Sequence, residues 1–211
     1  MKNIIFIAPP AAGKGTQSTL LKENFSYNHL STGDMLRKSA KSGSSLGEVV
    51  KNIMESGKLV SDEIMIDLIK EQLTNSEGKP FILDGFPRTL NQAMSLDDIV
   101  SDDYEVIYLD LDEEEAIKRI LGRITCECGK SYNLNIDSLK PKVEGICDTC
   151  QSKLSKRSDD NEEAFKVRFE SFINNTKPVL EYYDKKNKLH KINVNRDVSD
   201  IYKDILRVVN D

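Results

Sequence analysis

The chain has 211 residues, 38% of them hydrophobic and 31% charged, which suffices for one sizeable core plus a small insertion and excludes a disordered polymer. A net charge of −5 argues against a nucleic-acid coat, which needs a basic footprint, and no apolar run nears the roughly 20 residues that span a bilayer. One Lys and a short apolar stretch ahead of Ala8 do not make a secretory signal, so the expected location is cytoplasmic.

Residues 4–7 read as a buried strand, which passes through Ala8-Pro9-Pro10-Ala11-Ala12 into Gly13-Lys14-Gly15-Thr16. A helical pattern over 17–25 follows at once. Strand, loop and helix in that order are what a phosphate cradle requires. Backbone N–H groups and a helix N-terminus face the anion, Lys14 adds a movable charge, and the Thr16 hydroxyl can face a magnesium ion. The competing reading is a buried edge strand with a Lys-capped turn. The loop is also poor in glycine: Ala8 stands where such loops open with Gly, and Ala11 is a second departure. Alanine does not easily take positive φ, so both alanines are expected in ordinary backbone regions.

Residues 27–30 predict a short strand, and Ser31-Thr32-Gly33-Asp34 opens a helix through Lys41, with Ser31 as its cap and Asp34 in its first turn. Gly43 and Gly57 bracket a further helical pattern whose apolar side carries Leu46, Val49, Val50 and Ile53. Ser61-Asp62-Glu63 opens the next helix, striped by Ile64, Met65, Leu68 and Ile69, and residues 75–79 form a turn. Pro80-Phe81-Ile82-Leu83-Asp84 is an apolar strand ending on a carboxylate, followed by Gly85-Phe86-Pro87-Arg88 and a helix from Thr89. Residues 104–111 are the next strand, and Asp112-Glu113-Glu114-Glu115 caps a helix to Gly122. Residues 124–156 hold all four Cys and no helical period, which predicts a small β-rich insertion. Helical pattern resumes at Asp160, spaced from Glu163 as in a capping box, and runs past Pro178, which is expected to kink it. A last strand (189–194) and helix (198–209) close the chain. Strands alternating with helices imply an α/β fold with a parallel sheet covered on both faces.

Asp84 ends a strand, and ligands in such folds bind at the carboxyl ends of strands, so it is expected near Lys14 and Thr16, where a carboxylate suits magnesium held through water. A helix-cap or turn role is the alternative. Arginine is scarce, 8 residues against 22 Lys, so each is worth placing, because its planar fork grips phosphate as Lys cannot. Arg119 and Arg123 share one helix face at the start of the Cys-bearing insertion, and Arg157 and Arg168 flank its end. Surface pairing with Glu113–Glu115 and Glu162–Glu163 competes with phosphate ligation, and the scarcity of Arg favours the latter. Arg207 reads as a solvated charge.

The cysteines read as Cys126-x-Cys128 and Cys147-x2-Cys150. Confinement to one insertion favours a structural zinc over disulfides, with reduced thiols as the alternative. The first pair is tight and needs a local bend, which Gly129 supplies. The insertion lacks the basic, aromatic-interleaved cluster of a nucleic-acid-binding ribbon. His29 and His190 occupy strand-like segments without a neighbouring carboxylate motif and read as structural. Tyr182, Tyr183, Phe165, Phe169 and Phe172 have helical spacing and read as core.

Ala11-Ala12-Gly13-Lys14-Gly15-Thr16-Gln17, Ser31-Thr32-Gly33-Asp34-Met35-Leu36-Arg37, Leu83-Asp84-Gly85-Phe86-Pro87-Arg88-Thr89 and Arg119-Ile120-Leu121-Gly122-Arg123 resemble, in order, the motifs of adenylate kinases. The insertion, with Pro141-Lys142-Val143-Glu144-Gly145 inside it, resembles the long, zinc-bearing lid of bacterial-type members. The resemblance implies a P-loop nucleoside monophosphate kinase fold catalysing ATP + AMP ⇌ 2 ADP with magnesium. It implies a core of 1–30, 61–121 and 158–211, an AMP-binding insertion of 31–60 and a lid of 122–157 holding the four Cys. Lys14, Arg88, Arg123, Arg157 and Arg168 match the catalytic cations. Ala11, Ala12, Gly13, Lys14, Gly15, Thr16, Arg119, Arg123, Ser131, Tyr132 and Arg196 match the ATP site, where Arg119 stacks on adenine and Arg196 takes a place that acts through its backbone. Thr32, Arg37, Lys58, Leu59, Val60, Gly85, Phe86, Pro87, Arg88, Gln92, Arg157 and Arg168 match the AMP site, with Gln92 reading the adenine edge. Asp159 and Asp160 match lid-hinge carboxylates. The expected partners are ATP, AMP and ADP, with no nucleic acid or membrane, and the expected state is a monomer. A UMP/CMP kinase or a GTP-using AMP kinase of the same fold is the nearest alternative, and a non-catalytic nucleotide-binding module the remote one.

Overall fold

Alternation along the first strand sets the architecture. In β1 (Asn3–Ile7), Ile4 and Phe6 point to one side of the sheet and Ile5 and Ile7 to the other, and all four are buried. A strand buried on both faces needs helices above and below it. The computed structural model describes residues 1–76, 78–100 and 103–210, with the side chains of all but 45 and 46. Leu46 of the expected apolar stripe and Glu77 of the expected turn therefore lie outside what is described.

β1 is followed by α1 (Lys14–Asn24), β2 (Asn28–Ser31), α2 (Thr32–Ala40), α3 (Ser45–Glu55) and α4 (Asp62–Thr74). Next come β3 (Phe81–Asp84), α5 (Leu90–Ile99), β4 (Tyr104–Asp110) and α6 (Glu113–Gly122). The chain enters β5 (Arg123–Thr125) directly from α6, returns in β6 (Ser131–Asn133), and resumes in α7 (Glu162–Ser171), α8 (Lys177–Lys185), β7 (Leu189–Asn193) and α9 (Val198–Asn210). The five long strands form one parallel sheet in the order β2-β3-β1-β4-β7, so the expected α/β fold is observed. Leu21 of α1, Ile120 of α6, Phe165 of α7 and Ile201, Ile205 and Val209 of α9 pack on the Ile4–Phe6 face. Met65 and Ile69 of α4, Ala93 and Leu96 of α5 and Val179 and Tyr183 of α8 pack on the other. Phe165, Phe172 and Tyr183 are buried and Phe169 and Tyr182 pack partly buried against the same clusters, as their spacing predicts.

Local capping follows the sequence at two helices and departs from it at a third. Ser31 Oγ accepts from Asp34 N at 3.3 Å, and Asp112 Oδ1 accepts from Glu115 N at 2.8 Å. At α7 the cap is Asn161, accepting from Ala164 N at 2.9 Å, because the Asp160 carboxylate is taken by Arg123. The helical backbone does run on past Pro178: α7 continues through a π-helical turn over Phe172–Thr176 into α8, and that irregular turn just ahead of Pro178 accommodates its missing N–H.

Away from the carboxyl ends of the strands, the Asp97 carboxylate of α5 accepts from the Tyr104 hydroxyl of β4 and from Tyr182 and Lys186 of α8. That knot ties two helices to the sheet at the end opposite the phosphate loop.

Candidate functional site

Between β1 and α1 the loop turns by alternating backbone handedness. Gly13, the N-cap of α1, has φ +90, and Ala11 has φ +63 while Ala12 lies outside the left-handed region. Alternation of this kind aims successive N–H groups into one concavity, an anion nest. The expectation that both alanines sit in ordinary regions holds at Ala8 and is overturned at Ala11. The cradle's turn needs left-handed backbone there, whichever residue occupies it. Among the described residues no side chain caps α1, and its first turn carries no acidic residue, so its N–H groups are open to a ligand.

Lys14 reaches back across the loop, its Nζ donating to Ala8 O at 3.5 Å. Burial pulls its ammonium down to about 8; Asp84 opposes this, and Arg88, Arg123 and Arg168 add to it. Cations crowded around Lys14 in this way suit a site for a polyanion. Asp84, at the end of β3, approaches the loop closely, since a Cβ on Gly15 would stand 4.0 Å from its Oδ2. Burial alone would raise its carboxyl, but the adjacent His29 ring and Lys14 outweigh that and hold it below the usual carboxylate range. His29 Nε2 lies 3.4 Å from Asp84 Oδ2, and His190 Nε2 lies 2.8 Å from Glu105 Oε2. Both histidines thus face carboxylates that lie far off in sequence, which no neighbouring motif announces. The next residue, Gly85, has φ +88, and a Cβ there would stand 2.5 Å from Thr32 Oγ1, which itself donates to Asp84 O and Gly85 O. Only glycine fits that corner.

One cleft of about 1460 Å³ is lined by all of Arg37, Arg88, Arg119, Arg123, Arg157, Arg168 and Arg196, together with residues 11–16. Arg207 is on the surface, paired with Asp204. The segregation expected from arginine scarcity is therefore complete. Arg123 forms a two-pronged pair with Asp160, Nε to Oδ2 at 2.7 Å and the terminal nitrogen to Oδ1 at 2.5 Å. Arg168 binds Asp159 Oδ2 and Asp159 O, both at 2.8 Å. Arg157 is drawn down to about 10 by burial and by Arg123 and Arg37. Arg119 is braced by Glu115 Oε1 and Val194 O, to which it donates at 2.9 Å each. Arg196 lines the cleft with its guanidinium donating to Asn193 O and Asp204.

A smaller cavity of about 90 Å³ adjoins the cleft, lined by Thr32, Arg37, Lys58, Leu59, Val60, Gly85, Arg88, Gln92 and Arg168 among others. Pro87 lines the main cleft, whereas Phe86 is wholly buried in the core and reaches neither. Arg88 Nε donates to Gly85 O at 2.8 Å, and its carbonyl accepts from the Thr176 hydroxyl at 2.9 Å. Thr176 is absent from the sequence-based set, since only the π-helical turn brings it inward.

Above the cleft, the β5–β6 hairpin and the following loops gather the cysteines. The four Sγ atoms lie within 4.8 Å of one another, with Cys126–Cys150 at 3.3 Å and Cys128–Cys147 at 3.7 Å. A tetrahedron with bonds of about 2.3 Å sets its sulfurs about 3.8 Å apart, so the set fits zinc. Gly129, at φ +93, supplies the bend, donating its N–H to Cys126 O at 3.0 Å. Ser131 faces the cleft, whereas the Tyr132 hydroxyl turns to the cysteines, lying 3.5 Å from Cys147 Sγ and accepting from Asp148 N at 2.7 Å. The same hairpin is fastened to α6, where Asn133 Nδ2 donates to Arg119 O and Asn135 Nδ2 to Lys118 O, both at 2.8 Å. Lys41 of the segment after α2 pairs with Glu127 of the hairpin at 3.2 Å, spanning the cleft.

Residues 6–188 match the family model described as adenylate kinase. The chain is 45% identical to an adenylate kinase of Thermosipho africanus over 214 residues, covering 98% of this chain and 99% of that protein. It is 43% identical to one of Petrotoga mobilis (98% and 96% covered) and 42% identical to one of Staphylococcus aureus (98% of each). A nest at the head of α1, seven arginines in one cleft and full-length similarity agree, and the chain belongs to the adenylate kinase family.

Proposed function

We propose that the cleft transfers the terminal phosphoryl group of ATP to AMP, reversibly, giving two ADP. The observation that carries this is the convergence of Lys14 and seven arginines on one cleft with two ends, one at the α1 nest and one at the cavity beside Gln92. An AMP phosphate oxygen attacks the γ-phosphorus of ATP in line. The bond from that phosphorus to the β–γ bridging oxygen breaks, and its electrons leave on ADP. The attacking oxygen is already anionic, so no general base is required, and the protein's task is positioning and charge neutralisation. Lys14 and the α1 N-terminus hold the donor phosphates. Arg88 and Arg37 hold the AMP phosphate, and Arg123, Arg157 and Arg168 surround the group in flight. Arg119 carries the donor adenine, with Ser131 and the backbone at Tyr132 and Arg196 beside it, and Gln92 carries the acceptor adenine.

Magnesium bound with ATP would be held through water by Asp84 and by the Thr16 hydroxyl, and would neutralise charge on the β- and γ-phosphates. Cys126, Cys128, Cys147 and Cys150 would hold a structural zinc that cross-links the two knuckles of the hairpin segment. Residues 31–60 act as a flap over AMP and 122–157 as a lid over ATP, excluding the water that would otherwise hydrolyse the donor. The remainder is the core, and the working unit is a monomer. Steady-state rates with AMP, CMP, UMP and GMP as acceptors and ATP or GTP as donor test the reading. Formation of ADP from ATP and AMP in preference to the other pairs is expected, and a preference for CMP or UMP would overturn it.

A further inference from the structure

The side-chain amide of Gln92 is held from both ends by groups of opposite kind. Its Oε1 accepts from Arg88 N at 2.7 Å, and its Nε2 donates to Asp62 Oδ1 at 2.7 Å. A backbone N–H only donates and a carboxylate only accepts, so the amide cannot flip without losing both bonds. One Nε2 hydrogen and one Oε1 lone pair are left over, in a fixed sense, on a residue that lines the smaller cavity. Asp62 is itself held at the first position of α4. Its other oxygen accepts from Thr89 Oγ1 at 2.8 Å and Asn91 Nδ2 at 3.1 Å, and Thr89 caps α5, accepting from Gln92 N.

We propose that Asp62 is a specificity-determining positioning residue: by fixing the sense of the Gln92 amide it sets the preference for a 6-aminopurine over a 6-oxopurine nucleoside monophosphate. The inference rests on the reading of this cavity as the acceptor site. Adenine presents a donor at its 6-amino group beside an acceptor at N1. Hypoxanthine presents the reverse, an acceptor at O6 beside a donor at N1. An amide locked in one sense meets the first pair and opposes the second, and a buried mismatch leaves polar groups unpaired. An amide free to flip reads both.

The test compares kcat/KM for AMP and IMP in the full-length protein. Asp62→Asn, nearly isosteric, replaces an acceptor-only neighbour with one that can also donate, so one of the two bonds that fix the Gln92 amide no longer opposes its reversal and only Arg88 N still does. The AMP-to-IMP ratio is expected to fall about 5-fold, the share of the lock that Asp62 holds, with KM for ATP within about 2-fold. Asp62→Ser asks the same question through a hydroxyl that donates or accepts, and serves if the amide disturbs α4. Asp62→Glu, still acceptor-only, is expected to restore the ratio. Asn91→Ala removes a neighbouring bond to Asp62 while leaving the lock, and is expected to leave the ratio unchanged. If Asp62→Asn and Asp62→Ser lower both rates together with the ratio intact, Asp62 is only structural and the inference fails. If the unaltered protein does not phosphorylate AMP, it is the acceptor-site reading that fails.

Discussion

Replacing Ala11 by glycine is expected to stabilise the protein. Ala11 holds φ +63, where an L side chain sets its Cβ against the following carbonyl oxygen at a cost of about 1–2 kcal/mol. Glycine escapes that cost but gives the unfolded chain more freedom, worth about 0.4–1 kcal/mol in the opposite direction. The balance is a gain of about 0.5 kcal/mol, or roughly 1–2 °C in melting temperature for a chain of this size. Ala12 is the natural contrast. It is 2% exposed and lies outside the left-handed region, so Ala12→Gly gains no strain relief, loses a buried methyl of about 0.8 kcal/mol and adds the same unfolded-state freedom. It should destabilise by about 1–2 kcal/mol. Urea unfolding of both variants beside the parent, at equal m-values, measures the difference. Two neighbouring Ala→Gly changes moving the midpoint in opposite directions is the expected result. A fall at Ala11→Gly as large as that at Ala12→Gly would refute the claim that strain is stored at Ala11.

Arg123→Ala should lower kcat about 100-fold or more by removing a donor to the group in flight, and unchanged turnover would remove it from the clamp. Purified protein should carry one zinc per chain by elemental analysis, and chelation should lower its unfolding temperature; metal well below one equivalent would exclude the site. Lys14 must be protonated to hold phosphate, so kcat/KM for ATP should fall as pH rises through about 8, and a profile flat to pH 10 would contradict its burial among cations. The same group acts on stability. Its folded value of about 8 lies below the ordinary 10.5, so between them the unfolded chain binds a proton that the folded chain has released, and Lys14's contribution grows more favourable with pH across that window. In Lys14→Met that rise should vanish from chemical-denaturation profiles. Asp97→Ala should cost about 2–4 kcal/mol, since it strands the buried Tyr104 hydroxyl, with activity at 25 °C preserved.

What could be read in advance was local or compositional. Ser31 and Asp112 cap through bonds three residues long, so the short sequence window contains both partners. The buried run over residues 4–7 carries its own period, and arginine segregation shows in the contrast with abundant Lys. Misreadings arose where the deciding partner is distant. Asp160 looks like a helix cap, yet Arg123, 37 residues away, claims it and passes the cap to Asn161. His29 looks isolated because Asp84 comes beside it only through the register of β2 on β3. The partners of the Tyr132 hydroxyl, Cys147 and Asp148, are likewise distant in sequence, though the residue itself lines the cleft as expected. The φ of Ala11 departs from expectation for a different reason. Propensity gives what a residue prefers, and the loop gives what the anion nest demands; at that position the loop prevails.

The pairing of Arg123 and Arg168 with Asp160 and Asp159 has a consequence for what the cleft ignores. These carboxylates are buried and hydrogen-bonded, so the guanidinium groups already hold good anions in good geometry. Chloride, or a lone monoanion passing through, offers them less than they have. An oligophosphate, with several oxygens to present to several arginines at once, offers more. If phosphate is what these arginines take up, as proposed, ligand entry is an exchange of anions within one site, and the resident pair is a threshold against small monoanions.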